Sequence, residues 1–250
     1  MRLARAVVAV LLALDFERLD MNLIDKIIEG DCNLILPTFE SECIDLIVTD
    51  IPYGINYKSN MQNYDNHGST LVKKDKSHYF QQIANDDEIP IKWLNDAYRV
   101  LKNNTAIYIF CHWSKWHILH PAVEEVGFKI KNMIVINKSN HGMGDLSGQY
   151  APKHELLLFA VKGRHILDFE NKRMNDVWDK PVKFSGSKRW HSCEKPVSWI
   201  TPCISNSSKE KDIILDPFAG SGTTGCAAKL LNRNYIMIDI DTQAMRKRLS

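Results

Sequence analysis

Nowhere in the chain do two cysteines stand in a C-x-x-C pair. The six that are present, Cys32, Cys43, Cys111, Cys193, Cys203 and Cys226, are scattered. That scatter argues against a zinc cluster and against a disulfide framework, and it suits a reducing, cytoplasmic compartment. No metal is expected. No apolar run approaches the roughly 18 residues that a bilayer-spanning helix needs. The Gly-Lys-Ser/Thr ending of a P-loop is missing. Gly220-Ser221-Gly222-Thr223-Thr224-Gly225 does fit Gly-x-Gly-x-x-Gly, but its strand ends on Asp216 ahead of the turn instead of opening directly on the first glycine, which disfavours a nicotinamide dehydrogenase. There are no internal repeats and no low-complexity tract. Charge of one sign is also missing in total, since the net is only +2.

What is present is the composition of an ordinary soluble protein, 44% hydrophobic and 25% charged. Its 250 residues are enough for one large α/β domain. The charge is unevenly spread. Between residues 129 and 195 thirteen Lys/Arg face seven Asp/Glu, a local surplus of +6 that leaves the remainder at −4. A positive middle on an acidic body suits contact with a polyanion, or a merely solvated basic face.

The most informative stretch is Asp216-Pro217-Phe218-Ala219-Gly220-Ser221-Gly222-Thr223-Thr224. An apolar strand, 212–215, leads into it and a helix-compatible run, 225–231, follows. Gly220 and Gly222 can take positive φ and let backbone approach a ligand closely. The helix behind them starts with free N–H groups. Asp216 stands at the carboxyl end of its strand, where open α/β sheets bind ligands. Asp239 follows one strand later, seventeen residues after Gly222, at the spacing of a carboxylate that grips ribose hydroxyls. A second acidic turn, Thr49-Asp50-Ile51-Pro52-Tyr53-Gly54, ends the compact apolar run 44–48.

These two motifs resemble those of DNA amino-methyltransferases. The stretch from Asp216 to Thr224 is similar to their S-adenosylmethionine-binding motif, and Asp50-Ile51-Pro52-Tyr53 resembles their catalytic Asp-Pro-Pro-Tyr. The catalytic motif comes first, by 166 residues, as in the circularly permuted beta class. The resemblance runs from about residue 27 to residue 248. It implies a Rossmann-like, doubly wound sheet of seven strands, mainly parallel with one antiparallel strand. It implies catalysis by Asp50, Ile51, Pro52 and Tyr53. It also implies cofactor contacts from Asp31, Cys32, Lys195, Asp216, Phe218, Ala219, Gly220, Ser221, Gly222, Thr223 and Asp239. The partner is DNA, in the setting of restriction-modification, with a homodimer and a cognate restriction endonuclease as further expectations. Two departures stand out. Ile51 replaces the first proline, so a fixed φ is lost although the main-chain carbonyl remains. The family's frequent Trp-x-Lys reads Ile136-Asn137-Lys138 here.

The rest of the chain alternates strands and helices, the pattern of a doubly wound α/β sheet. Strands are expected at 26–30, 105–111, 128–137, 154–161 and 235–239. Helices are expected at 34–36, 91–101, 113–126, 195–205 and from 242. Residues 57–79 read as a polar loop beside the catalytic motif, either closing over substrate or a surface insertion. Residues 138–153 and 164–194 read as DNA-recognition insertions. The second interleaves Trp178, Phe184 and Trp190 with basic residues. Lys138, Lys153, Lys183, Lys188 and Arg189 are the candidate DNA contacts. Residues 1–20, with an apolar run at 6–14, form an extension or a non-native segment ahead of a domain at 21–250. A docked apolar helix is the competing view.

The expected reaction is methyl transfer to the N6 amino group of an adenine flipped out of DNA. That amine is a poor nucleophile, because its lone pair is delocalised into the ring. The Asp50 carboxylate and the Ile51 carbonyl can accept its two N–H bonds and localise the pair. Transfer to N4 of cytosine shares this chemistry; in the family it usually goes with Ser or Thr at the position of Asp50. A cofactor-sensing DNA-binding protein without turnover is the alternative that Ile51 leaves open. RNA or a protein amide as substrate is disfavoured by motif order and by the basic-aromatic insertion.

Overall fold

Near-continuous burial along the central strands, such as Leu46 to Thr49 and Ala106 to Cys111, calls for a sheet covered on both faces. The structure, a computed structural model, describes residues 24–55, 87–138, 148, 150–169, 173–180 and 195–250. The segment 1–20, the whole polar loop 57–79, much of both insertions, and Lys183, Lys188 and Arg189 lie outside these residues.

Eight strands form one open sheet: β1 (Lys26–Glu29), β2 (Ile44–Asp50), β3 (Leu101–Cys111), β4 (Lys129–Lys138), β5 (His154–Lys162), β6 (Val177–Lys180), β7 (Ile213–Asp216) and β8 (Asn234–Asp239). Their spatial order is β1-β8-β7-β2-β3-β5-β4-β6. Only β5 runs antiparallel to its neighbours, β3 and β4. The doubly wound α/β fold with a single reversed strand is as expected; the strand count is eight among the described residues instead of seven. The added strand, β6, lies inside the segment 164–194. It pairs parallel with β4 at the sheet edge, and Trp178 buries its ring there. Four residues give too short a pattern to be seen in sequence.

Helices cover both faces. On one lie α1 (Cys32–Ile35), α2 (Leu94–Val100) and α3 (Trp116–Glu125). Their Leu94, Ala97, Val100, Leu119 and Val123 pack on Ile47, Ile107 and Ile109. On the other lie α4 (Val197–Ser207), α5 (Thr223–Leu230) and α6 (Gln243–Leu249). Their Trp199, Ile200, Cys203, Ile204, Ala227, Ala228, Met245 and Leu249 pack on Leu46, Val48, Tyr108 and Phe110. Strand side chains alternate between these two cores, as the two-residue period of a pleat requires. In β2 the register against β3 shifts between Ile44 and Leu46. Ile44 therefore shares a core with Ile47, three residues on.

The site is positioned by the order of the strands. From β2 the chain winds outward through α2 to β3; from β7 it winds the other way through α5 to β8. The order reverses between β2 and β7, which pair parallel at Leu46↔Ile214 and Ile47↔Leu215. In open α/β sheets the ligand crevice lies outside the carboxyl ends of the strands at such a reversal. Asp50 and Asp216 are the last residues of these two strands.

Candidate active site

The Gly-rich turn is built outward from Asp216. This carboxylate is buried and accepts from Thr49 Oγ1 at 2.7 Å, Thr224 Oγ1 at 2.7 Å and the Phe218 N–H at 3.1 Å. One side chain thus ties the end of β2, the turn and the start of α5 together. Burial pushes its pKa up to about 7, although the three donors pull in the other direction.

Two glycines shape the turn differently. Gly222 has φ +77, and a Cβ there would meet Met245 Cγ of α6 at 2.7 Å, so its role is packing. Gly220 has φ +49, and a Cβ there would meet nothing within 4 Å. Its left-handed backbone borders open space, the kind of cradle a bound ligand fills. Asp239 holds this turn. Its Oδ2 accepts from the Gly220 N–H at 2.7 Å and its Oδ1 from the Asp241 N–H at 3.1 Å. β1 ends alongside, with the Gly30 N–H donating to the Asp239 carbonyl at 2.9 Å. Asp31, the exposed N-cap of α1, accepts from the Asn33 N–H. Phe218 rests edge-on against Trp93, with ring centroids 5.4 Å apart.

The catalytic motif lies one strand away. Asp50 Oδ1 accepts from the Tyr53 hydroxyl at 2.8 Å, and its Oδ2 lies 2.9 Å from Lys195 Nζ. The Lys195 ammonium also stands over the Tyr53 ring, 5.2 Å from the centroid. Burial is the largest influence on both partners. It raises the Tyr53 hydroxyl, with Asp50 adding to the rise, and holds it well above its ordinary value. On Lys195 burial works downward, but Asp50, Tyr53 and Glu155 together outweigh it and hold the ammonium well above its ordinary value. Tyr53 is therefore a hydroxyl donor and Lys195 a cation. Ile51 is 2% exposed and packed in the core with Cys32 and Trp93, so a buried side chain anchors the turn where a proline ring is missing.

Several of the expected cofactor residues have partners within the protein. Lys195 is paired with Asp50. The Asp216 carboxylate accepts from three donors within the protein. Ser221 and Thr223 are buried, and their hydroxyls accept from Arg248 Nη1 of α6 at 3.1 and 3.0 Å. The Cys32 thiol is in the core, where burial pushes it up to about 12. Ala219 is buried, and its N–H goes to the Ile238 carbonyl. Such residues shape the turn. Gly220 borders open space, and Phe218, Asp239 and Asp31 are at least partly exposed. Among the DNA candidates, Lys138 Nζ lies 3.0 Å from Glu155 Oε1, and the Lys153 carbonyl accepts from the Lys138 N–H. Glu155, Thr49 and Arg248 were not found by sequence reasoning. A charged residue opening the apolar run 156–159 was the available signal for Glu155. Among the described residues no group of three His, Cys, Asp or Glu could hold a metal ion, and no helix is long and apolar enough to cross a membrane.

An open α/β sheet with an acidic strand end facing a Gly-rich turn across its reversal point defines an enzyme of the nucleoside-cofactor-binding α/β class. Similarity to known proteins makes this particular. The profile of the DNA methylase family, covering N6 and N4 enzymes, matches residues 44–248, and the chain belongs to that family. It is an S-adenosylmethionine-dependent DNA methyltransferase of the beta-class type. It is 32% identical over 244 residues to the type II methyltransferase M2.DpnII of Streptococcus pneumoniae, covering 89% of this chain and 88% of that one. It is 30% identical over 235 residues to the type II methyltransferase M.HinfI of Haemophilus influenzae. That match covers 86% of this chain but 65% of the relative. Among solved structures, the M1.HpyAVI–SAM complex superposes with a TM-score of 0.68 at 25% identity, covering 90% of this chain and 99% of that one.

Proposed function

We propose that the chain methylates the N6 amino group of adenine in DNA, within a type II restriction-modification setting. The observation that carries this is Asp50 at the end of β2, beside the Gly-rich turn at the sheet's reversal point, with Tyr53 and Lys195 on its two oxygens.

The cofactor fits the residues present. Gly220 offers open space beside left-handed backbone, and the first turn of α5 presents N–H groups. Asp239 and Asp31 supply carboxylates for hydroxyl and amine donors, and Phe218 an apolar wall. When bound, S-adenosylmethionine supplies a methyl group on a sulfonium. The chain's own residues do the rest. Asp50 and the Ile51 carbonyl accept the two N–H bonds of the amine, localise its lone pair and aim it. Positioning of this kind is worth several kcal/mol of barrier. Asp50 or water then takes the proton the amine loses. Pro52 and Tyr53 shape the base pocket. Extruding the adenine costs a few kcal/mol of stacking. Lys153 and the remaining basic residues of 138–153 and 164–194 contact DNA, with Lys138 serving Glu155 as well.

The finer parts of this reading are a single domain at 21–250 preceded by a non-native or accessory segment, a homodimer, a cognate endonuclease and a cytoplasmic location. The last rests on the scattered cysteines, five of which are described as free thiols.

The test is recovery of methylated nucleosides from duplex DNA incubated with the protein and labelled cofactor. N6-methyladenine is the expected product. N4-methylcytosine alone overturns the base assignment. Binding of cofactor and DNA without turnover overturns catalysis.

A further inference from the structure

Glu155 has no part in the chemistry above, yet it occupies the same edge of the sheet. β5 runs antiparallel to β3, pairing Leu156 with Cys111, so its first residues arrive where β2 and β3 end. There Lys195 Nζ lies between two carboxylates, 2.9 Å from Asp50 Oδ2 and 3.8 Å from Glu155 Oε2. Lys138 holds the other Glu155 oxygen at 3.0 Å. Burial favours the neutral carboxyl of Glu155, but Lys195 and Lys138 outweigh it and lower its pKa.

This arrangement poses a problem for catalysis that it also solves. Asp50 has to accept an amine N–H, and an oxygen engaged by an ammonium is a weaker acceptor and more crowded. An uncompensated carboxylate in a half-buried site is costly, so the cation is useful before substrate arrives. A lysine stem is flexible enough to serve both partners. Resting on the reading of Asp50 as the amine acceptor, we propose that Glu155 is a positioning residue that provides a second seat for Lys195. When the target amine enters, the ammonium moves from Asp50 Oδ2 to Glu155 Oε2 and frees the catalytic oxygen. Lys138 fixes Glu155 and shares its charge, so that the resting ammonium stays with Asp50.

The test uses the full chain and DNA carrying its methylation site, mapped by sequencing of modified bases. Single-turnover methyl transfer and cofactor affinity are measured for Glu155→Gln, Glu155→Asp, Lys195→Met and the double variant Glu155→Gln/Lys195→Met. Glu155→Gln is expected to slow transfer by ~30-fold or more with cofactor Kd changed less than ~3-fold, and Glu155→Asp to restore most of the rate. Because Glu155 acts through Lys195, adding Glu155→Gln to Lys195→Met is expected to cost less than about 3-fold more. Wild-type rates in Glu155→Gln, or losses that multiply in the double variant, overturn the proposal. If Glu155→Gln fails to fold, Glu155→Thr is measured in its place: slowing of ~30-fold or more with cofactor Kd changed less than ~3-fold supports the proposal and an unchanged rate overturns it. Absence of methyl transfer by the unsubstituted protein overturns the proposed function instead.

Discussion

Thr49 and Asp216 share a buried 2.7 Å hydrogen bond across 167 residues of sequence. It joins the strand that delivers Asp50 to the strand that delivers the Gly-rich turn, so stability and catalysis are coupled at this pair. Thr49→Val keeps the shape but removes the donor. It is expected to cost about 1–3 kcal/mol in denaturant unfolding, because a buried acceptor loses a partner. A cost near zero would show that the two strand ends are held elsewhere.

Asp216 makes stability depend on pH. Its folded pKa, about 7, lies above the unfolded value of 3.8, so between these values the folded state binds the extra proton. Stability from this group is full below the lower value and is lost as pH rises through about 7. The loss is on the order of a few kcal/mol. Asp216→Asn is expected to flatten this part of the stability profile. Unfolding of the two proteins between pH 4 and pH 8 checks it, and parallel profiles would contradict it.

The two glycines of the turn are expected to separate. Gly222→Ala drives a methyl into Met245 and is expected to lower stability by more than ~2 kcal/mol. Gly220→Ala meets no protein atom, so its cost is limited to roughly 1 kcal/mol of left-handed backbone. Its main effect is expected on cofactor affinity, a loss of ~10-fold or more. Thermal unfolding and calorimetric titration distinguish the two.

Ile51 is expected to matter through its side chain. Ile51→Ala removes buried volume from the core it shares with Trp93 and Leu94 and is expected to cost about 2–4 kcal/mol. The loosened turn is expected to lower kcat while leaving cofactor Kd nearly unchanged. Full activity in a stable Ile51→Ala protein would show that the turn needs no apolar anchor.

The winding of the sheet was legible because each strand carries its own pattern. Val48 and Ile47 alternate between two cores, and the family resemblance of the motifs at Asp50 and Asp216 implied that these two strand ends share one crevice. What was illegible depends on pairing between distant segments. Asp216 bonds to Thr49, 167 residues away, and Ser221 to Arg248, 27 residues away, and neither pairing leaves a local signature. Lys195 read as a helix opener near the cofactor; only the folded chain brings its ammonium to Asp50. β6 escaped notice because four residues beside a basic, aromatic segment show no usable period.

The most direct measurement is single-turnover methyl transfer by Asp50→Ala, with cofactor affinity determined on the same preparation. A loss of ~1,000-fold or more in rate with cofactor Kd within about 3-fold of the unsubstituted protein is the expected result. Transfer at the unsubstituted rate would contradict the assignment of this carboxylate as the acceptor that activates the amine.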